Sequence, residues 1–245
     1  FYANAGFEEV ERQEAEATNV AGQESLHFSL TKVYGSAPVT VKDINGNEYP
    51  IVTIGSQEWF KTNLRVTKYK NGDAIPTDIA DADWIKLTSG ACAAYPDTDI
   101  AINGLLYNGY AASDARGLCP EGWHVPTEKD YQTLEIAIGM AEETAAGKPG
   151  WRQTDKEGTK LKANVEGFNG SDLFGFTAMP AGQRAEGKGN FNNIGTYAYF
   201  WTCDEFTDNP EKAYRRVLQA KYETIANSVI SKLAGYSVRC VKDSE

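Results

Sequence analysis

Glycine and proline interrupt this chain so often that no long regular element fits between them: 23 Gly and 9 Pro are spread over 245 residues. Glycine frees the backbone torsions, while proline fixes φ and removes a donor, so each ends helices and strands. Short patterned segments are what remain. One stretch reads as a sustained helix. Thr127 is a good N-cap, and Glu128 and Asp130 fall in the first turn, where the helix dipole favours negative charge. Tyr131, Leu134, Ala137, Ile138 and Ala141 then recur at helical spacing as a buried stripe. A shorter helix is expected over residues 159–165. The fold class that follows is α+β, with short, mostly antiparallel strands, one or two helices and long loops.

Residues 1–37 differ from the rest and read as an N-terminal extension to a domain over 38–245. Six glutamates there face only Arg12 and Lys32. The stretch from Glu8 to Ala17 reads as a short helix or solvated tail, and Leu26, Phe28 and Leu30 alternate as a strand. His27 falls on the polar face of that strand as a surface histidine. Ser36, Ala37 and Pro38 read as a linker. Val39 and Val41 then lead into Asp43-Ile44-Asn45-Gly46-Asn47-Glu48, a hairpin whose Asn-Gly predicts a type I′ turn. Asp43, Asn45 and Asn47 echo the start of a calcium loop, but the glycine is fourth rather than sixth and the twelfth residue is Ile54. The segment from Gln57 to Phe60 continues the sheet, and Asn71-Gly72-Asp73 forms another turn.

Composition excludes whole function classes. The chain carries a net charge of −10 and no basic run, so a nucleic-acid groove and an anionic membrane surface are not expected partners. No stretch approaches 18 apolar residues, as a membrane-spanning helix requires. Two histidines, His27 and His124, rule out a three-histidine zinc site. Cys92, Cys119, Cys203 and Cys240 are too widely spaced for a zinc ribbon or a redox C-x-x-C pair. In an acidic, Gly/Asn/Tyr-rich chain their even number suits two long-range disulfides and export rather than four buried thiols. A chain opening at Phe1 with no leader pattern reads as mature or trimmed. The run from Gly182 to Lys188 has P-loop spacing, but Gly189 replaces the magnesium-binding hydroxyl and no helix follows, so a hairpin loop is expected. No nucleophile elbow, zinc-protease or dinucleotide motif is present, and neither a cofactor nor a metal is expected.

Several ordered blocks carry a family resemblance. They are Gly117-Leu118-Cys119-Pro120-Glu121-Gly122-Trp123-His124-Val125-Pro126-Thr127, Thr159-Lys160-Leu161-Lys162, the run from Phe174 to Arg184, Tyr199-Phe200-Trp201-Thr202 and Val238-Arg239-Cys240-Val241-Lys242-Asp243. The opening hairpin with Gly55, Trp59, Asn63 and Leu64 adds to them. From about Val39 to Asp243 the chain resembles the Fibrobacter succinogenes major paralogous domain family. That resemblance implies a C-type-lectin-like fold related to formylglycine-generating enzymes, in proteins displayed at the surface or outer membrane of Bacteroidetes and relatives, or secreted, often through a lipid anchor. The calcium-and-sugar triplets of sugar-binding lectins and the paired cysteines of the enzymes are both missing. In this setting Trp123 is expected in the core, with His124 a packed support rather than a base. The blocks place Cys119 at the start of the helix and Cys240 on the terminal strand, which implies a Cys119–Cys240 disulfide and leaves Cys92 with Cys203.

The expected function is therefore an exported, non-enzymatic binding or adhesion module for a glycan or an extracellular protein. The alternatives are a pilus or surface-assembly subunit using residues 1–37, and a carbohydrate-active or oxidase-like enzyme using its acidic loops. The candidate binding loop spans 184–199. There Arg184, Asn190, Asn192, Asn193 and Tyr197 offer amides and a ring to a sugar, unless the Asn and Gly residues merely meet turn geometry. Trp201 is expected in the core. Asp204 with Glu205 could supply a weak calcium pair, and the loop over 95–99 is the next site in line.

Overall fold

The computed structural model describes residues 7–17, 26–35 and 39–244, and the chain divides between Val39 and Thr40 into two units. The first contains an antiparallel hairpin of Phe7–Ala17 with Leu26–Gly35, whose register shifts between Glu9 and Glu11. The glutamate-rich stretch is thus a strand, not a helix or a tail. A paired strand satisfies its backbone groups across the ladder, and that pairing overrides helical propensity. The linker expected at 36–38 and the side chain of His27 lie outside the described residues.

The second unit holds three antiparallel sheets. One runs Thr40–Lys42, Glu48–Ile54, Gln57–Phe60, Val241–Lys242, Trp123–His124 in spatial order, another Phe191–Ile194, Ala181–Arg184, Gly235–Tyr236, Leu106–Asn108, Cys92–Ala93. The third runs Tyr197–Glu205, Lys212–Gln219, Ile225–Ser231, Gly150–Arg152. Among the described residues six short helices decorate these sheets, the longest being Glu128–Ala137. The expected helix over 159–165 forms earlier and shorter, at Glu157–Leu161.

The first hairpin departs from the expected turn. Gly46 alone adopts positive φ, at 82°, and its N–H donates to the Asp43 carbonyl while Asp43 N–H donates to Asn47 O. This is a three-residue loop ending in a glycine bulge rather than a type I′ pair. The Asp43 carboxylate accepts from the N–H groups of Asn45 and Asn47, the Asn47 amide and the Tyr49 hydroxyl. It staples the hairpin and is fully used. Gly55 is needed twice over, since its φ is +61° and a Cβ there would come within 2.7 Å of the Ala137 side chain.

Strand alternation splits the aromatics between two cores. Trp59 and Phe60 are adjacent and both fully buried, yet Phe60 joins Tyr49, Tyr107, Trp123, Trp201 and Tyr236, whereas Trp59 joins Tyr131, Leu134, Phe176 and Phe200. Trp201 lies in the core as expected, donating its ring N–H to Tyr107 O at 2.8 Å. The helix Glu128–Ala137 carries a capping box, with the Thr127 hydroxyl accepting from Asp130 N–H and the Asp130 carboxylate accepting from Thr127 N–H. Its stripe differs from the expected one: Ala137 is exposed, and Glu135 is buried in its place.

Cys119 and Cys240 form a disulfide, with Cα atoms 5.9 Å apart. Cys92 and Cys203 stay free thiols, correcting the second pairing. Cys92 belongs to an edge strand of one sheet and Cys203 to an edge strand of another, so counting leftovers does not bring them together. Burial pushes each thiol up to about 12, with Asp78 adding to the effect at Cys92 and Asp204 at Cys203. Both are therefore poor nucleophiles at neutral pH.

Candidate functional site

Register across the four-stranded sheet decides which side chains meet on each face. Tyr199 pairs with Val217, Val217 with Ala226 and Ala226 with Trp151, while Trp201 pairs with Arg215 and Arg215 with Ser228. Directly opposed residues share a face, so these two rows lie side by side. The other face takes Phe200, Arg216, Leu218 and Ile225 and packs on the helix Glu128–Ala137. Arg215 and Arg216 are neighbours in sequence and point to opposite sides of the sheet.

A cavity of about 580 Å³ opens over the first face. Its floor and walls include Trp151, Tyr197, Tyr199, Phe206, Arg215 and Ser228. That volume falls within the range of small-ligand sites, roughly 300–1,000 Å³. The rings form a ladder from rim to core. Tyr197 stacks on Tyr199 at 5.3 Å and 2°, and Tyr199 stacks on Tyr236 at 4.9 Å. Trp151 stands 47% exposed at the rim and meets Tyr222 edge-on at 4.9 Å. Arg215 is held from below: its Nε donates to Ser228 Oγ at 3.0 Å, a second nitrogen donates to the Tyr236 hydroxyl, and the guanidinium lies 5.3 Å from the Tyr199 ring centre. A floor of rigid rings with one cation and a few hydroxyls suits a ligand that has both an apolar face and polar edges.

The residues expected to bind from the sequence are dispersed. Tyr197 alone reaches the cavity. Arg184 is 2% exposed, donates to Gly189 O, Ile79 O and Asp81, and stacks on Trp84 at 4.1 Å. It clamps the hairpin formed by Ala181–Arg184 and Phe191–Ile194, the hairpin expected in place of a P-loop. Asn190 accepts from Ala185 N–H through its carbonyl, and the Asn192 side chain accepts from Gln183. Asn193 sits at φ +65° and donates to the Tyr199 hydroxyl at 3.0 Å, so it supports the ladder from behind. Asp204 accepts from Glu128 N–H at 2.6 Å and caps the helix, whereas Glu205 pairs with Lys232. The two carboxylates thus serve different partners and do not form a calcium pair. Asp99 caps the helix Ile100–Asn103. Among the described residues no group of three or more His, Cys, Asp or Glu could hold a metal ion. Also among them, no helix is long and apolar enough to cross a membrane.

Trp151, Tyr199, Phe206 and Arg215 were not singled out for binding. Trp151 follows Pro149 and Gly150, and a tryptophan just past a Pro-Gly turn is the one local signal that could have marked it.

His124 sits between two carboxylates, its Nδ1 2.6 Å from Asp243 and its Nε2 3.0 Å from Asp130. Both nitrogens must donate, which requires the imidazolium. The Asp130 hydrogen bond raises the His124 pKa against partial desolvation, with Asp243 adding to it. Burial pushes the Asp130 carboxyl up, but the bonds from His124 and Thr127 prevail and hold it below its ordinary value. A raised histidine contributes fully to stability below its unfolded value, about 6.5, and loses that contribution as pH rises through its folded value. Asp130 contributes above its unfolded value and is lost as pH falls through its lowered one. The stability lost in His124→Gln should therefore be larger at pH 5.5 than at pH 9, measured by urea midpoints of the two proteins. A deficit that grows with pH contradicts the imidazolium bridge.

Compared with known proteins, residues 52–242 match the model of the Fibrobacter succinogenes major domain. No curated protein and no solved structure matches the chain.

Proposed function

The chain belongs to the Fibrobacter succinogenes major domain family, and from that premise we propose that it is an exported or surface-displayed, non-enzymatic binding module for a glycan. The observation that carries this reading is the ring-floored cavity of Trp151, Tyr197 and Tyr199 with Arg215 and Ser228 at its base. Sugar rings present apolar C–H faces to aromatic planes and hydroxyls to polar groups, and this surface offers both. A single disulfide in an acidic chain supports export. The short antiparallel strands, capped helix and tie between Cys119 and the terminal strand accord with a C-type-lectin-like arrangement.

A glycan array followed by titration calorimetry tests the reading. Trp151→Ala should weaken any glycan found by about tenfold or more, as truncation of an aromatic that stacks on the ligand does. Because Trp151 is half-exposed, stability should move by no more than about 0.5 kcal/mol. Unchanged affinity in both Trp151→Ala and Tyr197→Ala places binding elsewhere and removes the support.

A second reading concerns the first unit. Its hairpin is a two-stranded sheet, and a lone hairpin of that size is marginal in water. Its open edges suit pairing with another chain in a surface assembly. Deleting residues 1–37 should abolish any assembly seen by light scattering while leaving the 40–245 unit with its full thermal transition. Assembly that survives the deletion removes this reading.

A further inference from the structure

Among the described residues Arg215 is the one charged residue lining the cavity, in a chain whose net charge is −10. It makes no ion pair among the described residues; its Nε and one terminal nitrogen are engaged by Ser228 and the Tyr236 hydroxyl, both uncharged. The other arginines of the same sheet behave differently. Arg216 is paired with Glu128 and Glu135, and Arg152 with Glu135. A half-buried guanidinium without a carboxylate is costly to desolvate further unless an anion completes it. Its position is also fixed: two hydrogen bonds and the rings of Tyr199 and Tyr236 hold it against the cavity floor. One terminal nitrogen has no hydrogen-bond partner among the described residues. Around the guanidinium stand the rings of Tyr199 and Tyr236, with the Ser228 and Tyr236 hydroxyls bonded to it.

Resting on the glycan reading above, we infer that this cavity selects sugars bearing an anionic group, a ring carboxylate or sulfate, which Arg215 neutralises while the ring packs on Tyr197 and Trp151. Charge-assisted contacts to a prepositioned guanidinium favour an oxyanion over a hydroxyl at the same point. The rest of the lining is uncharged, so Arg215 sets the sign of the field inside the cavity.

The test uses the full chain and calorimetric titration with three probes of equal length. These are a uronic-acid oligosaccharide, the same oligosaccharide with its carboxyls reduced to alcohols, and an anionic oligosaccharide whose only charges are sulfate esters. The uronate or the sulfated probe should bind about tenfold or more tighter than the reduced one, with the preference weakening as salt rises. Which of the two leads assigns the anion. Arg215→Gln should erase the preference by weakening the charged probe far more than the reduced one, and Arg215→Lys should keep part of it, showing that the preference follows the charge. Equal affinity for charged and reduced probes overturns the inference and leaves the glycan reading standing. Binding of none of the three, in a protein that also binds nothing on the array, overturns both.

Discussion

Replacing Glu135 with Ala should destabilise the 40–245 unit by about 3–5 kcal/mol, the cost of removing one member of a buried ion network. Glu135 is 1% exposed and accepts from Arg216 Nε at 2.7 Å and from Arg152 at 2.8 Å. Arg216, itself 2% exposed, reaches on to Glu128, which also accepts from Asn227. The network ties the helix Glu128–Ala137 to the four-stranded sheet where apolar packing is expected. Burial opposes the charge on Arg216, but Glu135 and Glu128 prevail and raise its pKa. Without Glu135 two guanidinium groups lose their shared counter-charge inside the protein. Urea unfolding followed by far-UV dichroism gives the difference directly. Replacing Glu135, Arg216 and Arg152 together with Met should recover part of the loss, because the apolar set removes the buried carboxylate along with both guanidinium groups. A loss below about 1 kcal/mol in Glu135→Ala means the network is solvated and the burial argument fails.

Removing the disulfide ranks beside it. Cys119 and Cys240 are separated by 121 residues, and a cross-link closing a loop of that size stabilises by about 5 kcal/mol through unfolded-chain entropy. The double change Cys119→Ala, Cys240→Ala should therefore lower stability by several kcal/mol, measured without reductant against the parent chain. Mass mapping of the unreduced protein should find this bridge together with free thiols at Cys92 and Cys203. An unchanged unfolding midpoint shows that the bridge adds nothing to the fold.

Much of the scaffold was legible in local pattern. The N-cap at Thr127, the turn at Gly46, the core Trp201 and the hairpin at 181–194 all rest on short-range chemistry: a hydroxyl before a helix, a glycine at positive φ, an alternating strand. The resemblance blocks likewise turned out to mark scaffold. Arg239 is fully buried and donates to Asn63 and to the carbonyls of Phe60, Phe176 and Thr177, joining three of those blocks at one point.

The candidate site was not legible, for a physical reason. A polar residue in a loop has the same sequence signature whether it meets a ligand or its own protein, so Arg184 and Asn192 looked available and their side chains are engaged within the protein. The pair Arg215-Arg216 shows the limit most sharply. The sequence by itself determined that two adjacent strand residues face opposite ways, because the pleat has period two. Which arginine meets Glu135 beneath the helix and which lies open beside Tyr199 depended on the pairing of Lys212–Gln219 with strands on both sides. Pairing is long-range, and a shift of one residue would exchange the two faces. The short elements and their caps were therefore written locally, and the cavity with Arg215 on its floor was decided by register in the folded sheet.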